Sequence, residues 1–516
     1  MKERNSLVHF IEKIKWMLLL IIPCTLLIEF TGVKQPYFWN KQYDPSYAYL
    51  LNGLNLSQSL GNIGHTDHPG TTVQVMAAFI IKATYQFRDK SIPMAEDVLR
   101  NPEFYLKVIA LSFTYGNILL LVLLGFIALK GTGEILYGLL FQSLPFLFNS
   151  YLRHLVFYAV RPEQLLFSGL ILLLSVFLID TNGIGLKGEI KIAKLGARGK
   201  IFDGIPWKII VYAMIIGFCL TTKIHCFPLF FFPLLVIQTV RSKILYSILT
   251  LLSFLFFTIP IWVSYPKMFT WLYGLFLHSG RYGKGPADIV DRTIYWANLF
   301  EIFKTQPIFT GIMLVSFLVL TVQASKREKN LRFKYLLAIF MVEIFAILLI
   351  SKQYRMHYLI SIIPMSILNI YLIFKLINTR KWEKPLILLF ISICLYLNFN
   401  YHISKPYITV NPIVPEKNAL SIFSYSSADQ RAALSFGNMF AKFKWSETLN
   451  NIYPECYFYD QWENTYSTWY QKIEPDSLRK INSRILVYGR KAKLELLYQS
   501  TEVIQLDSTR FLVKLK

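Results

Sequence analysis

Apolar residues along this chain gather into many long uncharged stretches, among them Ile244–Pro266 and Thr305–Ser325. Each is near the roughly 20 residues that carry a helix across a bilayer. The strongest segments are Glu12–Phe30, Phe104–Leu129, Ile135–Tyr151, Gln164–Asp180, Pro206–Thr222, Ile224–Val240, Ile244–Tyr265, Gln306–Gln323, Tyr335–Ser351, Tyr358–Leu376 and Pro385–Asn400. Thr71–Phe87 adds another, with Lys82 near one end where its long side chain can snorkel. Twelve spans would leave both termini on one side, whereas the charged segments require opposite sides. Parity is restored if Leu152–Val160 is a short crossing or if Thr71–Phe87 does not fully cross; thirteen spans, one of them short, is the expectation. The pattern therefore predicts a polytopic α-helical membrane protein with about 12–13 transmembrane helices over residues 1–400.

From residue 401 onward the chain is polar enough to fold in water. Arg484–Tyr488, Glu502–Leu506 and Arg510–Leu515 alternate in part and predict strands, while Leu420–Phe443 is suited to a helix. A small α/β or α+β C-terminal domain, 401–516, is the expected result.

Composition sharpens this. The 516 residues are 54% hydrophobic and 16% charged, with mean hydropathy +0.42, far from the quarter or so of charged residues in a soluble domain. Soluble enzymes and disordered chains are excluded, and so is a β-barrel, whose strands alternate over only ~10 residues. The net charge is +23, a value that would suggest nucleic acid in a soluble protein. The tail from Asn400, with fifteen basic and eleven acidic residues, holds only +4 of it. The rest sits in short segments around Lys2–Lys15, Lys187–Lys200, Arg241–Lys243, Lys326–Lys334 and Arg380–Lys384, as the positive-inside rule demands of cytoplasmic loops. No nucleic-acid partner is needed. Of the five cysteines only Cys456 lies in the polar tail, and there is no CxxC pair or disulfide framework. The first apolar run lacks a small-residue cleavage site and reads as a retained span.

Three segments are then external: the first loop 31–70, the loop 265–305, and the tail. In the first, Tyr47, Leu50, Leu51 and Leu54 fall at helical spacing, which suggests a short amphipathic helix at the interface. Asp44 before Pro45 reads as its cap, and a cap would also hold a carboxylate at a fixed place on the outer surface. His65, Asp67 and His68 have donor types suited to a divalent metal, and equally suit a polar turn before a helix capped by Thr71 or Thr72. Arg161-Pro162-Glu163 reads as a Pro-started helix with an acidic first turn, and as an Arg placed for an anion. Lys223 and His225 interrupt apolar runs, and Lys352, Arg355 and His357 follow another. The second loop carries His278-Ser-Gly-Arg281-Tyr-Gly-Lys284-Gly-Pro, whose three glycines suggest mobility. External cations have no positive-inside explanation, so Arg161, Lys223, Arg281, Lys352 and Arg355 together indicate an anionic ligand. Glu343, in mid-span, has no partner that the sequence identifies.

In this order the pieces resemble the GT-C superfamily of membrane glycosyltransferases, which includes protein O-mannosyltransferases and the lipid A aminoarabinose transferase. The resemblance rests on Asp44 in the first external loop, His68-Pro69 before the next helix, Arg161-Pro162-Glu163, Thr222-Lys223, His357-Tyr358 and the soluble tail. Pro45 stands where mannosyltransferases have a second acidic residue. The resemblance implies inverting sugar transfer from a polyprenyl-phosphate donor to an acceptor glycan, lipid or protein on the outer face of a cytoplasmic (inner) membrane, with the tail periplasmic. Asp44 is the expected general base and Asp67 the second choice. Arg161, Lys223, Lys352, Arg355 and Arg281 would stabilise the leaving phosphate. His68, Glu163, His225, His278, His357 and Tyr358 would contact substrate, and the loop around Arg281 and Lys284 would close over the donor. No cofactor is required beyond a possible divalent metal. A flippase for an anionic lipid-linked sugar, or an inactive glycan-binding relative, would use the same cations without a positioned base.

Overall fold

A computed structural model of the chain describes residues 15–31, 45–58, 63–66, 69–182, 207–280, 283, 285–326, 330–377, 380–399, 420–425, 445–460, 465–474, 477, 484–488, 502–505 and 510–514. Among these, six helices are long and apolar enough to cross a membrane: Pro102–Thr132, Pro162–Asn182, Val240–Phe257, Pro307–Ser325, Leu331–Ser351 and the compound segment Met356–Ile377. Apolar helices of this length satisfy their own backbone, which suits them to a bilayer. The architecture is that of a helical, membrane-embedded protein.

The first half of the bundle comprises α1 (Ile21–Thr31), α2 (Ser46–Ser57), α3 (Thr71–Tyr85), α4 (Met94–Arg100), α5 (Pro102–Thr132), α6 (Ile135–Gln142), α7 (Ser150–Phe157) and α8 (Pro162–Asn182). α9 (Trp207–Thr222), a 3-10 segment Ile224–Phe230, α10 (Phe231–Val236) and α11 (Val240–Phe257) follow. α8 and α9 are antiparallel, pinned by Lys208–Asp180 (2.9 Å) at one end and Lys223–Glu163 at the other. We name the second the ligand end, after the anionic ligand that the sequence leads us to expect there. α11 runs parallel to α9, since Ser253 meets Met214 (3.3 Å) and Tyr246 meets Phe230, and a Cβ on Gly217 would fall 2.3 Å from Ser253 Oγ. The chain between them returns through Ile224–Val236 in only thirteen residues. The 3-10 rise of about 2 Å per residue stretches that passage to ~23 Å.

Two expected spans are corrected. Thr71–Phe87 does not traverse the bundle. At one end Thr72 Oγ1 lies 2.7 Å from Thr222 Oγ1, and at the other Arg88 pairs with Asp97 beside the first turn of α5. Ala110 and Asn117 of α5 are level with Gln164 of α8, so the first two turns of α5 project beyond the ligand end. α3 packs alongside that projection with both its ends there. Ile135–Tyr151 and Leu152–Val160 are one broken passage instead of two crossings. Pro145 cannot donate to the helix and turns the chain through the 3-10 segment Leu144–Leu147. Asn149 Oδ1 then caps α7 by accepting from Leu152 N (3.0 Å). The passage runs antiparallel to α5, with Gln142 bonded to Leu121 O and Asn117 to Val156 O.

α2 is also not an interfacial helix. Eleven of its twelve residues are buried, polar Asn52 and Asn55 included. It starts at Ser46 with Pro45 at the N-cap, so Asp44 precedes the cap position and lies outside the described residues. No side chain caps α3, where Gly70 holds φ +67° and Thr72 bonds Thr222 instead.

The second half contains α12 (Tyr265–Leu277), α13 (Arg292–Thr305), α14 (Pro307–Ser325), α15 (Leu331–Ser351), the 3-10 segments Met356–Ser361 and Ile363–Met365, α16 (Ser366–Ile377) and α17 (Arg380–Phe399). Polar groups gather at the end opposite Lys223: Tyr371 donates to Asn182 (2.9 Å), Arg332 to Lys375 O (3.0 Å), and Glu383 receives Tyr137 and Lys375. Glu343, fully buried on α15, accepts from Asn369 Nδ2 of α16 at 2.6 Å.

Seven strands among the described C-terminal residues form one mixed sheet in the order β4-β3-β2-β1-β5-β7-β6. They are β1 (Leu420–Tyr425), β2 (Tyr457–Asp460), β3 (Thr465–Ser467), β4 (Lys472–Ile473), β5 (Arg484–Tyr488), β6 (Glu502–Gln505) and β7 (Arg510–Lys514). The three terminal strands fall where alternation predicts them. Leu420–Tyr425, expected as the start of a helix, is instead the central strand, parallel to both β2 and β5. Helix α18 (Ser446–Ile452) carries the contact with the bundle: Trp445 Nε1 donates to Asn55 (3.2 Å) and Tyr453 OH to the carbonyls of Leu99 and Arg100 (both 3.2 Å). This C-terminal segment therefore sits at the ligand end.

Candidate functional site

Local sequence explains how charged groups come to be buried here. Pro162 opens α8 at its first position, where its missing N–H costs nothing, and Glu163 falls in the first turn beside the positive end of the helix. α9 ends at Thr222 because Lys223 takes an extended backbone (φ −160°, ψ 116°), which redirects the chain. The lysine side chain bonds Glu163 Oε1, and both side chains are at most 5% exposed. Removal of two such charges from water is costly unless they compensate each other. These do.

Aromatic groups wall the pair. The Lys223 ammonium lies 5.1 Å from the centre of the Tyr358 ring, within cation–π range. His225 stacks on that ring at 3.9 Å and 24°, and His357 meets it edge-on at 4.6 Å. Both ring-bearing segments, Ile224–Phe230 and Met356–Ser361, are 3-10 helices. Arg161 completes the cluster. Its Nε is buried with no hydrogen-bond partner, as is His225 Nδ1. With the imidazoles counted as neutral, the cluster holds two cations and one anion.

A small open cleft leads from His225 and Tyr358 to Phe276, Lys352 and Gln353, with mainly apolar walls. Lys352 Nζ donates to Phe276 O at 2.6 Å and Gln353 Nε2 to Gly280 O, so the end of α12 is tied to the end of α15. Partial burial lowers the Lys352 pKa, and the Asp288 carboxylate opposes that shift. The described ends of the glycine-bearing loop are bonded to each other: Ser279 N donates to Pro286 O (3.0 Å), Gly285 N to Ser279 O (2.8 Å), and His278 Nδ1 lies 3.1 Å from Gly285 O.

Of the residues proposed from sequence, Arg161, Glu163, Lys223, His225, His357 and Tyr358 come together, and Lys352 lines the adjoining cleft. Arg355 is exposed, and His278 is held within its own loop. His65 is buried with its ring edge-on to Tyr49 (5.0 Å), while its carbonyl accepts from Gln74. Asp44, Asp67, His68, Arg281 and Lys284 lie outside the described residues. Ser46 Oγ donates to Val160 O (3.1 Å), directly before Arg161. Among the described residues, no three His, Cys, Asp or Glu side chains are grouped to hold a metal ion.

Sequence reasoning missed the pairing of Glu163 with Lys223, sixty residues apart. It also missed Gln353 and the Asp97 centre, in which one carboxylate receives Arg88 (2.8 and 2.9 Å), Asn101 (2.9 Å) and Tyr105 (2.6 Å). An acid opening one apolar helix and a cation just after the end of another were the available signal for the first. Comparison with family models, curated proteins and solved structures finds no match for this chain.

Proposed function

We propose that this chain is an inverting, GT-C-type glycosyltransferase that moves a sugar from a polyprenyl-phosphate donor to an acceptor at the outer face of a cytoplasmic membrane. The observation that carries the reading is the buried Glu163–Lys223 pair with the half-buried Arg161 beside it, a net-positive cluster that adjoins an apolar-walled cleft at the end of the bundle where the C-terminal segment docks. Such a site suits an anionic head group on an apolar tail. In this reading the chain crosses eleven times, with α2, α3, α4, α12 and α13 external, the N-terminus cytoplasmic and the C-terminal domain periplasmic.

The acceptor oxygen attacks the anomeric carbon while the bond from that carbon to the phosphate oxygen breaks. The acceptor proton passes to a carboxylate, with Asp44 assigned as base and Asp67 as the second choice. Arg161 and Lys223 stabilise the charge that grows on the leaving phosphate, and the burial of Lys223 strengthens that interaction. The test is transfer by purified protein from a panel of radiolabelled polyprenyl-phosphate sugars, with native membrane extract as acceptor. Label transfer that survives Asp67→Asn but is lost in Asp44→Asn supports the reading and its base. Absence of transfer from every donor, with lipid binding retained, would favour a carrier or scaffold.

A further inference from the structure

From the charge of the cluster we infer a role for Glu163 that rests on the reading above and goes further: it makes the site select a singly charged phosphodiester and release a doubly charged phosphomonoester. The groups that face Glu163 are Lys223 after α9, Arg161 before its own helix, His225 on the Ile224–Phe230 segment, and His357 beside Tyr358 on the Met356–Ser361 segment. Lys352 stands across the cleft with its ammonium bonded to the Phe276 carbonyl, apart from the Glu163–Lys223 pair. The cluster around Glu163 is thus +1, and the buried, unpartnered Nε of the half-buried Arg161 is the donor left over.

A sugar–phosphate–polyprenol is a phosphodiester of charge −1, which brings such a site to neutrality. Transfer leaves the electron pair of the broken bond on the phosphate oxygen, so the carrier becomes a phosphomonoester of charge −2 above its second pKa of about 6. That extra charge has no counter-cation while Glu163 occupies Lys223. Glu163 is therefore a positioning residue: it holds Lys223 in place and sets the electrostatic balance between donor and spent carrier.

The experiment measures binding of polyprenyl phosphate and of its methyl phosphodiester to the full chain in nanodiscs. Wild type is expected to bind the diester at least as tightly as the monoester at pH 8. As pH falls through 6, monoester affinity should rise toward that of the diester. Protonation of His225 or His357 would add a cation and favour the monoester as well, so the pH series is repeated in His225→Gln/His357→Gln, where the rise in monoester affinity must persist. In Glu163→Gln the ratio at pH 8 should move about tenfold or more toward the monoester, while Glu163→Asp keeps the wild-type ratio. A purely structural role would lower both affinities in parallel. If Glu163→Gln does not fold, the wild-type pH dependence decides. A ratio flat with pH, or unchanged in a folded Glu163→Gln, overturns the inference and leaves the transferase reading intact. Failure of wild type to bind either lipid removes the transferase reading itself.

Discussion

A double-substitution cycle on Lys223 and Glu163 probes the centre of the site through stability alone. The two side chains are 5% and 3% exposed, so neither regains water when its partner is removed. At contact distance and an effective dielectric near 20, their attraction is roughly 5 kcal/mol, and loss of one member of a buried pair typically costs about 3–5 kcal/mol. Arg161 makes the two single substitutions unequal. In Lys223→Met the Glu163 carboxylate still has Arg161 nearby, which places the cost near the lower value, ~3 kcal/mol. In Glu163→Gln two cations remain together without an anion, so the cost approaches ~5 kcal/mol. The double variant Glu163→Gln/Lys223→Met buries no uncompensated member of the pair and should lose only about 1 kcal/mol. The assay is thermal unfolding in detergent, followed by tryptophan fluorescence, with all four proteins in one buffer. The expected order of midpoints is wild type, double variant, Lys223→Met, then Glu163→Gln. A double variant no more stable than the weaker single variant would refute the pairing.

The Arg88–Asp97 turn supplies a pH prediction. Arg88 holds the Asp97 carboxyl below the usual carboxylate range, assisted by Tyr105 and Asn101. The folded pKa is depressed, so the stabilisation is present above the unfolded value near 4 and is lost as pH falls through the folded value. Asp97→Asn should cost about 2–3 kcal/mol at pH 7 and flatten the acid limb of a plot of melting temperature against pH. The path of α3 makes a topology prediction. In a variant with its native cysteines replaced, Ser91→Cys should react with an impermeant maleimide from the same side as Ser446→Cys, and Thr132→Cys only from the other; labelling of Ser91→Cys with Thr132→Cys would mean that α3 crosses. At Gly70, φ is +67° and an added Cβ would meet Tyr49 OH at 2.7 Å. Gly70→Ala should therefore cost ~1–3 kcal/mol and increase proteolytic cleavage between residues 63 and 70, and an unchanged cleavage pattern would contradict that placement.

What the sequence made legible followed from periodicity and from local chemistry. The long apolar runs at Pro102–Thr132, Pro307–Ser325 and Leu331–Ser351 appear as helices because nothing tertiary competes with their own hydrogen bonds. Pro162 starts its helix as its fixed φ dictates, and three short alternating runs near the end became strands. What failed depended on distant partners. Leu420–Tyr425 became a strand through its neighbours on both sides, more than thirty residues away in the chain. Helix α2 has an amphipathic spacing that suits an interface, yet its polar side is covered as well, Asn52 accepting from Gly64 N and Asn55 from Trp445. Thr71–Phe87 is apolar enough to span, and only the Thr72–Thr222 and Arg88–Asp97 bonds reveal that both its ends lie together. Within the site, residue types and order were readable. The neutralisation of Lys223 by Glu163 was not, because opposite charges at two helix ends give no sign of which will meet.

The broken passage through α6 and α7 bears on how the protein is made. Its second half contains Arg153, buried to 1% exposure and bonded to Glu29 of the first described helix at 3.1 Å. An arginine in a nascent apolar segment is costly at the translocon, by up to ~2.5–3.5 kcal/mol at mid-helix and less toward an end, and proline interrupts this segment as well. Residues 135–160 expressed alone should then insert poorly, and insertion should recover when 1–132 precede them with Glu29 intact but not with Glu29→Leu. The first helix would thus act as an intramolecular chaperone, retained beside the insertion machinery until its arginine partner emerges, and assembly of the amino-terminal half becomes an ordered process written into one ion pair.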